Sequence, residues 1–205
     1  MLKGRGVECA AMSETARKLS TWEDLLATPE DGLKYEIIAG QLEAQPSPRP
    51  RHNRAQAALT ESIYGPFDRG RGGPGGWWIL IETDVMLGPN DIVAPDLVGW
   101  RRDRVPAFPE EQPIMARPDW ICEIVSPSGK ARDRVKKSDL YLASGIPHYW
   151  IIDPAERTLE AFAAREGAWV RLGGFTDGDL PRIPPFEAVE IEVGGLFPPL
   201  GPTAG

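Results

Sequence analysis

A mixed α/β or α+β domain is the fold class this sequence predicts, and three observations carry it. Short apolar runs bounded by turn residues recur along the chain, with 22 Gly and 21 Pro to supply the turns. Two of those runs, ARPDWICEIVS (116–126) and IPHYWIID (146–153), are nearly continuously apolar, as strands buried on both faces are. Between them GKARDRVKKSDLYLASG (129–145) has the length and composition of one crossover helix, closed by Gly145.

Ser20-Thr21-Trp22-Glu23 reads as a capping box that opens a short helix through Ala27, closed by Pro29 and Gly32. LKYEIIAGQLEAQP predicts a hairpin, with Tyr35 to Ile38 and Gln41 to Ala44 as its arms and Ala39-Gly40 as its turn. QPSPRPRHN reads as a loop, and Ala55, Ala58, Leu59 and Ile63 give helical spacing from Asn53 to Tyr64. Gly70-x-Gly72-x-x-Gly75 matches a dinucleotide fingerprint in letters only. A helix precedes it and a strand follows, the reverse of the required context. WWILIETDVML reads as one strand and DIVAPDLVGW as a second, interrupted by Pro95; RRDRVPAFPEEQPIMARP is a loop. TLEAFAAREGAWVRL predicts a hairpin turning at Glu166-Gly167, and EAVEIEV a last strand. One domain over 20–198 is expected, between a disordered tail at 1–19 and a tail at 199–205.

No apolar run approaches the roughly 20 residues that span a bilayer, so no membrane partner is expected. Two cysteines, Cys9 and Cys122, make neither a disulfide framework nor a zinc site, which suits a reducing cytoplasm. The net charge of −7 opposes nucleic-acid binding unless the positive charge is concentrated locally.

Chemistry gathers around three residues. Asp96 follows Pro95 in an otherwise apolar segment, and Glu123 is flanked by Ile121, Cys122, Ile124 and Val125. A carboxylate in such surroundings is costly unless it is paired, hydrogen-bonded or bound to metal. Two of them on neighbouring strands repel, and Mg²⁺, which takes oxygen ligands and keeps its waters, compensates most simply. Residues 130–137 hold five basic side chains against Asp133. At 100° per residue Ala131, Val135 and Leu142 form the stripe expected to pack on the sheet. Lys130, Arg134, Lys137 and Tyr141 fall on the adjoining face, as a positive ridge suited to a phosphodiester.

PDLVGW, EIVSPS, DRVKKSDLY and GIPHYWIIDP, in this order and spacing, resemble the Uma-type restriction endonuclease family, as does the upstream YEIIAGQLEAQPSPRPRH. The resemblance runs from Thr21 to Phe197. It implies a restriction-endonuclease-like core of the PD-(D/E)xK type, a central mixed sheet flanked by helices. It also implies Asp96 and Glu123 as catalytic acids that ligate Mg²⁺ (or Mn²⁺) with the Ile124 carbonyl. The lysine usual two residues after the second acid is missing, since Val125 stands there, and Lys137 on the helix is the matching residue. Glu36, matching a further acid of the fold, His52 and Tyr141 are additional candidates. The function implied is a metal-dependent endonuclease acting on DNA. Nucleases of this fold often pair up to cut two strands, so a homodimer is expected.

Other readings stand beside these. Asp96 also suits a strand end, Glu123 a structural ion pair, Lys137 an i,i+4 partner of Asp133, and His52 helix capping or loop packing. Ser126 and Ser128 suit helix caps; Trp77 and Trp78 suit packing or dimer contact, with base stacking as the alternative. The functional alternatives are a binding or regulatory module on the same scaffold, and a metal-free hydrolase using the two acids as a general acid/base pair.

Overall fold

A computed structural model describes residues 18–45, 47–125 and 132–200. Helix α1 (Trp22–Leu26) opens with a capping box one residue later than the sequence predicts: Thr21 is the N-cap and Asp24, not Glu23, reaches back to it. Strands β1 (Lys34–Ile38) and β2 (Gln41–Gln45) form the predicted hairpin, turning on Ala39 and Gly40 at positive φ. Helix α2 spans Pro50–Ile63, so the segment read as loop ends in helix. Pro50 sits in the first turn, where its missing N–H costs nothing. A π-turn, Tyr64–Asp68, extends α2.

The segment read as one strand, WWILIETDVML, is two. β3 (Trp77–Ile81) ends at Glu82, whose φ of 48° breaks the extended chain, and β4 (Val85–Gly88) belongs to another sheet. DIVAPDLVGW divides in the same way into β5 (Asp91–Val93) and β6 (Leu97–Arg101), because Pro95 has no N–H to donate to a ladder. β3 pairs with β6 and β4 with β5. The four strands are therefore one antiparallel ribbon, bent where Glu82 and Pro95 face each other; the Glu82 N–H donates to the Pro95 carbonyl at 3.1 Å.

The larger sheet is completed by β7 (Trp120–Ile124), β8 (His148–Asp153), β9 (Thr158–Arg165) and β10 (Ala168–Phe175), in the order β10-β9-β8-β7-β6-β3. The smaller is ordered β2-β1-β5-β4. β7 and β8 are parallel, which requires the crossover that contains α3 (Ser138–Ala143). Mixed α and β structure in two sheets is the observed class. The predicted single central sheet is joined by a second, and EAVEIEV is not a strand: it runs through turns into a 3-10 turn, Val193–Leu196. Its apolar residues Ile191 and Val193 are fully buried without any ladder.

Alternation along β7 decides what each face meets. Trp120, Cys122 and Ile124 point to a core shared with Ala55, Leu59 and Ile63 of α2 and with Phe186 and Phe197. Ile121 and Val125 point to the opposite core, shared with Ile38, Val85 and Val93 of the smaller sheet and with Tyr141 of α3. Glu123 has the parity of the second face. Trp77 belongs to the first core, against Phe186, whereas Trp78 lies under the Arg102 guanidinium and beside Phe108; both rings are used in packing within the chain.

At the start of β8, burial first and then the Arg165 charge hold the His148 imidazole below its ordinary value of 6.5. A depressed folded value means that protonation favours the unfolded chain, so this contribution is present above about 6.5 and is lost as pH falls through the depressed value. His148→Gln is therefore expected to gain on the parent as pH falls from 7 to 5 in urea unfolding. A parallel pH dependence of the two would refute it.

Candidate functional site

The bend in the ribbon is what builds the site. Leu97 pairs with Cys122, so the next position of that antiparallel register sets Asp96 against Glu123. The Asp96 carboxylate then bridges the two layers. One oxygen accepts the Ile124 N–H at 2.6 Å, and the other lies 2.9 Å from His52 Nε2 on α2. Gln56, one helical turn after His52, donates to the Asp96 carbonyl at 3.0 Å and to Glu82 at 3.2 Å, so α2 holds the bend itself.

Glu123 faces α3. Its Oε1 accepts from Lys137 Nζ at 3.0 Å and from the Tyr141 hydroxyl at 2.5 Å. The same ammonium lies 2.7 Å from Glu36 Oε1, which also accepts the Ala94 N–H at 2.9 Å, while Gln45 donates to the other oxygen of Glu36. All are deeply buried: Glu36 is 1% exposed, Glu123 4%, Lys137 3% and Tyr141 fully covered. Burial, then the Glu123 and Glu36 charges, push the Tyr141 hydroxyl well above its ordinary value, which keeps it a donor. Burial, reinforced by Asp96 and Glu123, does the same to Cys122, so its thiol is inert packing.

The helical stripe is the main correction. Val135, expected against the sheet, is 58% exposed, while Lys137 and Tyr141, expected on an adjoining exposed ridge, point inward. Arg132–Lys137 is a π-helical segment, and its wider turn moves the phase of every residue after it relative to a 3.6-residue repeat. The two carboxylates then hold the inward lysine. Lys136 is also engaged, with Glu43 at 2.9 Å, so neither lysine contributes an open positive ridge. Lys130, Ala131, Ser126 and Ser128 lie outside the described residues.

Burial lowers the basicity of His52, but the hydrogen bond and charge of Asp96 outweigh it, and the net shift is upward. Tyr141→Phe would leave part of Glu123's buried acceptor capacity unmet. It is expected to cost about 1–3 kcal/mol in urea unfolding, and an unchanged midpoint would show that the hydroxyl contributes nothing.

The sequence profile of a family described as "Uma2: Putative restriction endonuclease" matches residues 22–194. The chain belongs to the Uma2 family. This Uma2 chain is also similar to a solved structure from Anabaena variabilis ATCC 29413, titled as a putative nuclease belonging to DUF820. Their identity is 25% and the TM-score 0.66, with 86% of this chain and 97% of the other covered. No curated protein matches. The observed architecture is thus a nuclease-type fold, and no helix among the described residues is long and apolar enough to cross a membrane.

In the Uma2 chain the candidates named from the sequence fall into two adjoining groups, Asp96 with His52 and the Ile124 N–H, and Glu123 with Lys137, Glu36 and Tyr141. Among the described residues no three His, Cys, Asp or Glu side chains are arranged to hold a metal ion. Glu36 engages the lysine instead of completing such a group. A cation here would draw on two carboxylates, a backbone carbonyl and water, which is a donor set Mg²⁺ accepts. Sequence reasoning missed Gln45, Gln56 and Glu43. Gln56 had a readable signal, its i,i+4 relation to His52; Gln45 reaches Glu36 across the β1–β2 hairpin, and Glu43 depends on where β2 lies relative to Lys136.

Proposed function

We propose that this Uma2 chain is a Mg²⁺-dependent endonuclease that hydrolyses DNA phosphodiester bonds. The observation that supports the reading is the adjacency of two acids at neighbouring strand ends, Asp96 just before β6 accepting the Ile124 N–H and Glu123 of β7 receiving the Lys137 ammonium from the neighbouring helix. Asp96, Glu123 and the Ile124 carbonyl would hold the cation, with Mn²⁺ able to substitute. Bound there, it supplies Lewis-acid polarisation of water and phosphoryl oxygen. Ile124 N–H and His52 fix the orientation of Asp96, and Tyr141 fixes that of Glu123. Lys137 pairs with Glu36 and Glu123 in a buried setting and would place one positive group where charge develops on the phosphate. Val125 occupies the position where this fold usually carries its lysine, so the helix supplies the amine in its place. A second copy of the chain would bring the second centre needed to cut both strands.

A binding module with little turnover is the second reading. Both Asp96 oxygens and the Lys137 ammonium are already satisfied within the chain, and this observation favours it. Supercoiled plasmid and single-stranded DNA incubated with Mg²⁺ or Mn²⁺ separate the two. Nicking that stops in chelator and in Glu123→Gln is the expected result. Metal binding without nicking would favour the module, and full cleavage in chelator would exclude both.

A further inference from the structure

Among the described residues the centre offers no open cation to a polyanion, since Lys136 and Lys137 are both spent on glutamates. Most other described basic side chains are likewise consumed: Lys34 by Glu82, Arg102 by Asp68, Arg104 by Asp119, Arg157 by Asp177. Arg49, Arg51 and Arg54 differ. They project from the entry and first turns of α2, are exposed, and have no side-chain hydrogen bond or ion pair among the described residues. In a chain of net charge −7 three such guanidinium groups within residues 49–54 are a local concentration of positive charge to which a polyanion would be drawn.

Two of them, Arg49 and Arg51, also border a cavity. A cleft of about 470 Å³ is lined by Arg49, Arg51, His52, Val125, Pro154 and Ala155. Its size falls within the roughly 300–1,000 Å³ of ligand-binding pockets. Two lining residues tie it to the acids: His52 contacts Asp96, and Val125 is two residues beyond Glu123. His52 is 8% exposed, so the imidazole forms part of the cleft wall while its Nδ1 is buried behind it. Apolar walls from Val125, Pro154 and Ala155 suit sugar and base faces, while planar guanidinium forks suit phosphate oxygens.

We infer that Arg49 and Arg51 grip the phosphate backbone of a DNA strand lying in this cleft, next to the phosphate presented to Asp96 and Glu123; the inference rests on the nuclease reading. The contact is with backbone, so it carries affinity and not base sequence.

The test is fluorescence anisotropy of a labelled DNA duplex with the full chain, in chelator, across a salt series. The forms compared are the parent, Arg49→Ala/Arg51→Ala, and the charge-matched control Arg69→Ala/Arg71→Ala beyond the far end of α2. Loss of two phosphate contacts is expected to reduce the log–log salt slope by about 2. It should also weaken binding of unrelated sequences alike by at least roughly tenfold, while the control keeps the parent slope. All three forms are expected to melt together, since these side chains are exposed and unpaired.

An unchanged slope in Arg49→Ala/Arg51→Ala, an equal loss in the control, or no DNA binding by the parent would overturn the inference. Cleavage in Mn²⁺ is scored separately. If the parent cuts and the slope is unchanged, the cleft assignment fails while the nuclease reading stands. If the slope falls as expected and no form cuts, the cleft assignment stands as a binding site and the nuclease reading fails.

Discussion

Lys137→Met is expected to reduce metal-dependent cleavage by roughly 10²–10³-fold and to cost about 3–5 kcal/mol of stability near neutral pH. Methionine keeps most of the stem volume, so the loss belongs to the charge and not to a cavity. What remains is Glu36 and Glu123, 1% and 4% exposed, with the ammonium between them gone. Two such carboxylates are relieved most easily if the folded variant takes up a proton that the unfolded chain does not hold at neutral pH. When the folded state binds more protons, stability falls as pH rises. The gap between parent and variant is thus expected to be small at pH 5 and to widen towards pH 8 in urea unfolding. A gap that is constant over this range, or that narrows as pH rises, would show that the ammonium does not neutralise this pair.

The same arrangement explains which parts of the molecule were legible in the sequence. Hairpins were, because their turns are local: Ala39-Gly40 and Glu166-Gly167 adopt the positive φ that such pairs tolerate. The parallel β7–β8 pair was legible because two continuously apolar runs joined by a helix allow little else. Asp96 and Glu123 stood out because an acid among Ile and Val is expensive wherever the chain goes.

What escaped was set by geometry at a distance. The division of WWILIETDVML at Glu82 depends on its N–H reaching the Pro95 carbonyl of a strand still to come. The inward turn of Lys137 depends on a π-helical segment that no 3.6-residue template contains, and on Glu36, 101 residues away in sequence. Hydropathy assigns a lysine to water. Here the carboxylates that accept it outweigh that preference, and Val135 is left at the surface instead. EAVEIEV alternates like a strand, yet its apolar residues fill the first core from turns, a choice governed by the space beside Phe186 and Phe197.

Asp96→Asn is expected to bring metal-dependent cleavage down to background and to lower stability by about 1–3 kcal/mol. The first effect follows from removing one of two acids that would hold the cation. The second follows from donor counting. In the parent, one carboxylate oxygen accepts the Ile124 N–H and the other faces His52 Nε2. An amide offers one acceptor and one donor. If its oxygen meets Ile124, its NH₂ meets His52 Nε2, which must then accept, so the imidazole proton moves to Nδ1. That atom is buried and has no partner among the described residues. If the amide is turned round, its NH₂ opposes the Ile124 N–H and a backbone donor goes unmet. Either orientation strands one buried donor, and only a change at His52 relieves it. The substitution is therefore expected to cost less stability in a His52→Ala background than in the parent, by about 0.5–3 kcal/mol of coupling, whereas cleavage is lost in both. Urea unfolding of the four forms in chelator reads the coupling. Equal costs in the two backgrounds would mean that His52 and Asp96 merely lie side by side, and that α2 does not orient the acid.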